Sequence, residues 1–239
     1  MSTRRHYCAK GIFVSTKQRR NHQNKSMMMS TSKIHILCYG DSLTAGFCLR
    51  GFKFIPYATT LQAKLSSLGL NNISIDHFGL SGWTTQQLLK NKDKDNLTDF
   101  AGNTAPGLSK AFQRQSYDLL ILMAGTNDLG YGFTNEDIFN NLQALTQIAL
   151  KANTAVLNLG IPDSGYIFSN INVRVKRDQI NEQLANSAKV HDLLTYADAP
   201  ITYNEETEEF DEDTLHFSEL GYQRFGERLG DIVLKILQK

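Results

Sequence analysis

From Lys33 onward the chain alternates short apolar runs with longer amphipathic ones. Ile34-His35-Ile36-Leu37-Cys38-Tyr39 ends at Gly40-Asp41, the pattern of a buried strand followed by a turn. After Pro56, apolar residues at Tyr57, Ala58, Leu61 and Leu65 share one face of a helix over 57–68, which Gly69 stops. Residues 73–78 alternate as a strand and meet Gly79. Thr84 or Thr85 caps a helix through Lys90. Residues 91–107 are polar, with Gly102, Pro106 and Gly107, and predict a long loop; 109–115 predict a short helix. A second strongly apolar run over 119–123 closes at Gly125. Thr134 caps a helix over 135–151, with Ile138, Leu142, Leu145 and Ala149 on one face and Glu136 and Asp137 in its first turn. Residues 155–159 form a strand stopped by Gly160 and Pro162. A long helix is expected over 169–189 and a last strand over 190–196. Ser218 caps a final helix with Tyr222, Phe225, Leu229, Ile232 and Ile236 as its core face.

This rhythm predicts a three-layer α/β fold with a mostly parallel sheet. No internal repeat or linker divides 33–239, so that stretch reads as one domain. The 239 residues are 41% hydrophobic and 21% charged, enough for a large core. No run is long enough to cross a membrane as a helix. A net charge of +1 argues against a broad nucleic-acid-binding face. Three cysteines (Cys8, Cys38, Cys48) and no CxxC argue against a disulfide scaffold or a thiolate zinc cluster.

The small net charge hides an asymmetry. Residues 1–40 hold eight of the 25 basic residues and none of the 24 acidic ones, leaving −7 on the rest. Residues 1–32 lack apolar periodicity and read as a basic extension outside the fold. Its one apolar run, Ile12-Phe13-Val14, is too short for a secretory signal. An acid-free segment with Arg and Ser fits a transit peptide; the plainer readings are a disordered extension, or a start upstream of true initiation near 27–29. The cytoplasm is the expected location. A mitochondrion or other organelle is the alternative, through that basic segment.

Absences narrow the chemistry. There is no GxxxxGK[ST], no GxGxxG after the first strand, no HExxH and no GxSxG, and the six histidines lack ligand spacing. Four short segments stand at predicted strand ends: Gly40-Asp41-Ser42-Leu43, Gly79-Leu80-Ser81-Gly82, Gly125-Thr126-Asn127-Asp128 and Asp213-Thr214-Leu215-His216. In an open parallel sheet, loops after the carboxyl ends of strands share one edge. Ser42 there offers a hydroxyl nucleophile, His216 a base, and Asp213 a group to fix the histidine's tautomer. The N–H groups of Ser42 and Gly82 and the Asn127 amide could form an oxyanion hole. Taken singly, each has a plainer reading: a Gly-Asp turn with Ser42 as a cap, a glycine turn, an Asx-turn at Asn127-Asp128, a surface cap pair. His35, His77 and His191 lie in strand-like runs and read as core or edge histidines, and Cys38 as packing.

Together, and in this order, the four segments resemble the GDSL/SGNH hydrolase superfamily over about 33–239. The resemblance implies a five-stranded parallel, flavodoxin-like sheet between helices. It implies Ser42 as nucleophile, Asp213 and His216 as its triad partners, and Ser42, Gly82 and Asn127 as the oxyanion hole. It implies a small-molecule ester as substrate, and no metal or organic cofactor. Many members carry Asn before the glycine where this chain has His77-Phe78-Gly79, so no role is assigned there. Among the family's substrates, short-chain acyl or aryl esters are favoured. Lysophospholipids, thioesters and acetylated carbohydrates are the alternatives. Phe47, Trp83, Leu129 and Tyr131 are the candidate substrate pocket. Two other classes compete: a metal-dependent phosphoesterase using Asp41, Asn127, Asp128 and His216, which lacks further ligands at strand ends, and a silent binding domain.

Overall fold

The computed structural model describes residues 33–238, and the readings for residues 1–32 lie outside it. Five strands form the central sheet: β1 (Ile34–Gly40), β2 (Ile73–Gly79), β3 (Leu119–Met123), β4 (Ala155–Leu159) and β5 (Leu194–Ala197). Their order is β2-β1-β3-β4-β5 and every pairing is parallel. Helices α1 (Ser42–Ala45), α2 (Tyr57–Ser67), α3 (Thr85–Lys90), α4 (Leu108–Arg114), α5 (Thr126–Tyr131), α6 (Asn135–Lys151), α7 (Gly165–Ser169), α8 (Ile171–Ala188) and α9 (Glu219–Leu237) surround it. This is the three-layer α/β architecture expected from the sequence.

Strand periodicity builds the two core layers. Side chains alternate across a sheet, and β1 and β3 are apolar on both faces. Leu37, Tyr39, Leu120 and Leu122 face one layer, where they meet Leu88, Leu108, Leu142, Leu145 and Ile180 from α3, α4, α6 and α8. Ile36, Cys38, Leu119 and Ile121 face the other, against Tyr57, Leu61, Leu65, Tyr222, Phe225 and Leu229 from α2 and α9. Burial pushes the Cys38 thiol up to about 12, consistent with packing rather than reactivity. The expected caps are present. Thr84 makes a capping box with Gln87, Thr134 accepts from the Asp137 N–H, and Ser218 accepts from the Gly221 N–H.

The long helix expected over 169–189 is present as α8, beginning two residues later, and α7 is a separate short helix that ends at Ser169. Asn170 closes α7 and caps α8, its side chain accepting from the Val173 N–H, and its extended backbone separates the two. Local patterns misled in three places. The last strand begins at Leu194. Val190 and His191 are exposed before it, so His191 is not a strand histidine. The 91–107 loop contains a short antiparallel pair, Leu97–Thr98 with Thr104–Ala105. On α9, Val233 is fully buried, whereas Ile232 and Ile236 are only partly covered. Among the described residues, no helix is long and apolar enough to cross a membrane.

The segment from β5 to α9 has little regular structure, and Glu209 pins it. Its buried carboxylate accepts from Arg228 Nη1 and Nη2 at 2.9 and 2.6 Å and from Arg224 Nη1 at 3.0 Å. The Arg228 guanidinium, with Arg224, holds it below the usual carboxylate range. Phe210 and Phe217 bridge across the loop that carries Asp213 and His216, ring edge to ring face at 5.3 Å. Replacing Glu209 with Ala removes several charge-assisted hydrogen bonds and is expected to cost about 1–3 kcal/mol in urea unfolding. An unchanged midpoint would show that the arginines find other partners.

Candidate active site

β1 ends at Gly40, which pairs with Gly79 of β2 on one side and Met123 of β3 on the other. Three strands thus end at one level and their loops converge. Asp41 caps α1, its Oδ1 accepting from the Leu43 N–H at 3.1 Å. Ser42 is therefore the first helical residue, and its N–H has no intrahelical carbonyl to meet. The reading of Ser42 itself as the cap is corrected: Asp41 takes that role.

His216 comes from the other end of the chain. Its Nε2 lies 2.9 Å from Ser42 Oγ and its Nδ1 lies 2.7 Å from Asp213 Oδ2. Asp213 Oδ1 also accepts from the N–H groups of Leu215 and His216, at 2.9 and 2.8 Å. Burial works to raise the Asp213 pKa, but the His216 ring and these two N–H groups together hold it down at about 2. An ionised Asp213 makes Nδ1 the protonated nitrogen, which leaves Nε2 to accept from the Ser42 hydroxyl. The Phe47 ring covers one face of the imidazole at 4.4 Å.

The remaining segments close around this line. The Leu80 N–H donates to the Gly40 carbonyl at 3.0 Å and brings the Leu80–Trp83 turn beside Ser42. Asn127, the second residue of α5, donates through Nδ2 to the Trp83 carbonyl at 2.9 Å, which leaves its second amide hydrogen for the cavity. Asp128 is fully buried and accepts from the Thr85 N–H at 2.9 Å and the Thr85 hydroxyl at 2.5 Å. The Asn-Asp pair is therefore no simple Asx-turn: it ties α5 to the loop after β2. Burial raises the Asp128 pKa against those bonds.

Ser42, Gly82, Asn127 and His216 border one open cavity of about 510 Å³. Of the expected pocket residues, Phe47 and Tyr131 line it. Trp83 lines an adjoining groove with Phe133. Leu129 does not line it; at 4% exposure it packs in the core, because two positions after Asn127 the helix turns it inward. Sequence reasoning missed Phe100 and Arg50, which also line the cavity. Phe100 is an isolated aromatic in a polar stretch, 93% exposed, and only that contrast could have flagged it. Among the described residues, no group of three or more His, Cys, Asp or Glu is placed to hold a metal ion.

A hydroxyl, a base and a carboxylate in hydrogen-bonded sequence, with N–H donors around one cavity, can carry out acyl transfer. A family model for GDSL-like lipases and acylhydrolases matches residues 38–224. The chain belongs to the GDSL-like lipase/acylhydrolase family. As a member it is a carboxylic ester hydrolase. Solved structures share the fold. A family 3 carbohydrate esterase from Clostridium thermocellum is 21% identical, with 87% of this chain and 98% of that one covered and a TM-score of 0.64. A psychrotrophic esterase from Pseudoalteromonas sp., inhibited by monoethylphosphonate, is 18% identical, with 86% and 99% covered and a TM-score of 0.65. A carbohydrate acetylesterase family member from Sinorhizobium meliloti is 19% identical, with 86% and 100% covered and a TM-score of 0.62. No curated protein matches the sequence.

In this GDSL-like hydrolase the Asp41 carboxyl is unusual. Burial pushes its pKa up to about 7, the Leu43 N–H works the other way, and negative charge on Asp128 adds to the rise; its Oδ2 has no partner. Between the ordinary aspartate value of about 3.9 and 7, the folded state holds a proton that the unfolded chain has lost. Stability contributed by the protonated form is thus lost as pH rises through that window. Asp41→Asn keeps an acceptor for Leu43 and cannot ionise. Its melting temperature is expected to match wild type near pH 4 and to exceed it at pH 8. A difference that does not grow with pH would show that the ionised carboxylate is compensated.

Proposed function

We propose that this hydrolase is a serine esterase acting on short-chain acyl or aryl esters through an acyl-enzyme on Ser42. The observation that carries the reading is the line from Ser42 Oγ to His216 Nε2 at 2.9 Å and from Nδ1 to Asp213 at 2.7 Å. Ser42 Oγ attacks the ester carbonyl carbon as Nε2 takes its proton, and the carbonyl electron pair moves onto oxygen. The N–H groups of Ser42 and Gly82 and the Asn127 amide receive that oxyanion. Collapse breaks the carbon–oxygen bond to the alcohol, which leaves with the proton from His216. Water then repeats the sequence on the acyl-serine and releases the acid. Asp213 stays ionised throughout and stabilises the imidazolium.

The cavity supports small esters: it is open, and Phe47, Phe100 and Tyr131 give it aromatic walls. A second reading, an acetyl ester on a carbohydrate, is favoured by the exposed Phe100 and Tyr131 rings at the cavity, and by the carbohydrate esterases among the similar structures. A panel of p-nitrophenyl esters of rising chain length, run beside an acetylated xylose and a lysophospholipid, separates these readings. Highest kcat/KM on acetyl or butyryl p-nitrophenyl esters supports the first; preference for the sugar ester or the lipid replaces it.

Ser42→Ala is expected to lower kcat by about 10³-fold or more with an unchanged circular dichroism spectrum. Retention of more than about a tenth of wild-type kcat would overturn the assignment. Asn127→Ala should lower kcat by about 10²–10³-fold with little change in KM. A raised KM at normal kcat would instead place Asn127 in substrate binding. For pH, the proton transfer needs an unprotonated base, so kcat/KM should climb from the acid side and then level off. Asp213, held at about 2, adds no second limb above about pH 4. A maximum near about pH 4 that falls as pH rises would point to a carboxylate base.

A further inference from the structure

The Gly82 N–H belongs to the peptide joining Ser81 to Gly82, the central peptide of the Leu80–Trp83 turn. The Trp83 N–H closes that turn on the Leu80 carbonyl at 3.1 Å. Gly82 has φ +78°, and Ser81 is not among the residues with positive φ, so the turn is type II. Type I and type II turns differ by reversal of the central peptide, and glycine in the third position tolerates both. Reversal would swing the Gly82 N–H to the opposite side. The turn by itself therefore leaves that N–H free to flip.

The 99–103 loop supplies what the turn lacks. The Phe100 N–H donates to the Ser81 carbonyl at 3.2 Å, and the Ser81 N–H donates to Asp99 Oδ2 at 2.9 Å. In a trans peptide the C=O and N–H point in opposite directions. Anchoring the Ser81 carbonyl on Phe100 thus fixes the Gly82 N–H on the other side. Asp99 also shapes the loop that makes this anchor. Its Oδ1 accepts from the N–H groups of Ala101 and Asn103, at 2.9 and 2.8 Å, and its backbone N–H donates to the Asn103 carbonyl at 2.9 Å. Asp99 is only 7% exposed, yet its hydrogen bonds reach none of the reacting groups. A Cβ built on Gly82 would meet Phe100 Cβ at 3.3 Å, so the loop closes tightly over the turn.

We propose that Asp99 is a positioning residue for ester hydrolysis, holding the 99–103 loop against the Ser81–Gly82 peptide so that the Gly82 N–H stays aimed at the developing oxyanion. It rests on the reading of Gly82 as an oxyanion donor. Such donors act because they are aligned before charge develops, and a misplacement of about 1 Å costs about 10²-fold. Asp99→Asn keeps the size of the side chain but sets an amide group against one set of the N–H donors.

The test uses the full chain and p-nitrophenyl acetate, well below the melting temperature. Asp99→Asn is expected to lower kcat by about 10–100-fold with KM within about threefold. Inactivation by a fluorophosphonate, which also places an anionic oxygen in the hole, should slow by a similar factor. Ile180→Val, a core change remote from the loop, should lower the melting temperature and leave kcat unchanged. Phe100→Pro and Phe100→Ala both lose the ring, but only Pro loses the N–H, so the Pro variant should be about tenfold slower. Wild-type kcat in Asp99→Asn, or equal rates in the two Phe100 variants, would overturn the proposal while an inactive Ser42→Ala left the triad reading standing. An active Ser42→Ala would overturn both.

Discussion

The parallel pairing of β1 with β2 on one side and β3 on the other, with Gly40 level with Gly79 and Met123, decides where Ser42, Gly82 and Asn127 lie. Because the strands run the same way, their carboxyl ends share one edge. The Ser42 turn leaves from the middle strand, and the Gly82 and Asn127 turns leave from its two neighbours. No side chain at these positions needs to reach far. The close hydrogen bonds between the loops follow from strand register.

Buried carboxylates then hold irregular backbone in place of regular structure. Asp41 caps the turn that presents Ser42. Asp128 gathers the backbone and hydroxyl donors of Thr85. Asp99 gathers three backbone N–H groups of its own loop and of the Ser81 turn. Glu209 takes two arginines and fastens the stretch that delivers His216. A buried carboxylate costs free energy unless donors surround it. Asp99, Asp128 and Glu209 are well surrounded. Asp41 has a single backbone donor, and its pKa shows the shortfall.

The acidic run before His216 illustrates the difference between charge in a sequence and charge in a structure. Read as a string, Glu205 through Glu212 is a negative field beside His216. In the fold, Glu209 is paired with Arg224 and Arg228, Asp211 accepts from the Leu49 N–H at 2.6 Å, and Glu212 meets Arg50 at 3.2 Å. Those residues act as attachment points between distant segments. The charge that acts directly on His216 is Asp213, three residues away.

Much of this was legible in the chain. Two-sided apolar runs at β1 and β3 demanded a covered, parallel sheet, since only helices on both faces bury both sets of side chains. Thr84, Thr134 and Ser218 announced helix starts through local hydrogen bonding, which acts within three residues. The segments around Ser42, Gly82, Asn127 and His216 pointed to acyl transfer as an ordered set, because each taken singly has a plainer role in a turn or a cap. Tertiary structure alone decided the rest. It turned Leu129 into the core and laid Phe100 over Gly82. It joined Ser42 to His216 across 174 residues and Ser81 to Asp99 across 18. Periodicity and capping register forces between residues a helical turn apart. Contacts at longer separation depend on the register and packing of the whole sheet, which no local pattern encodes.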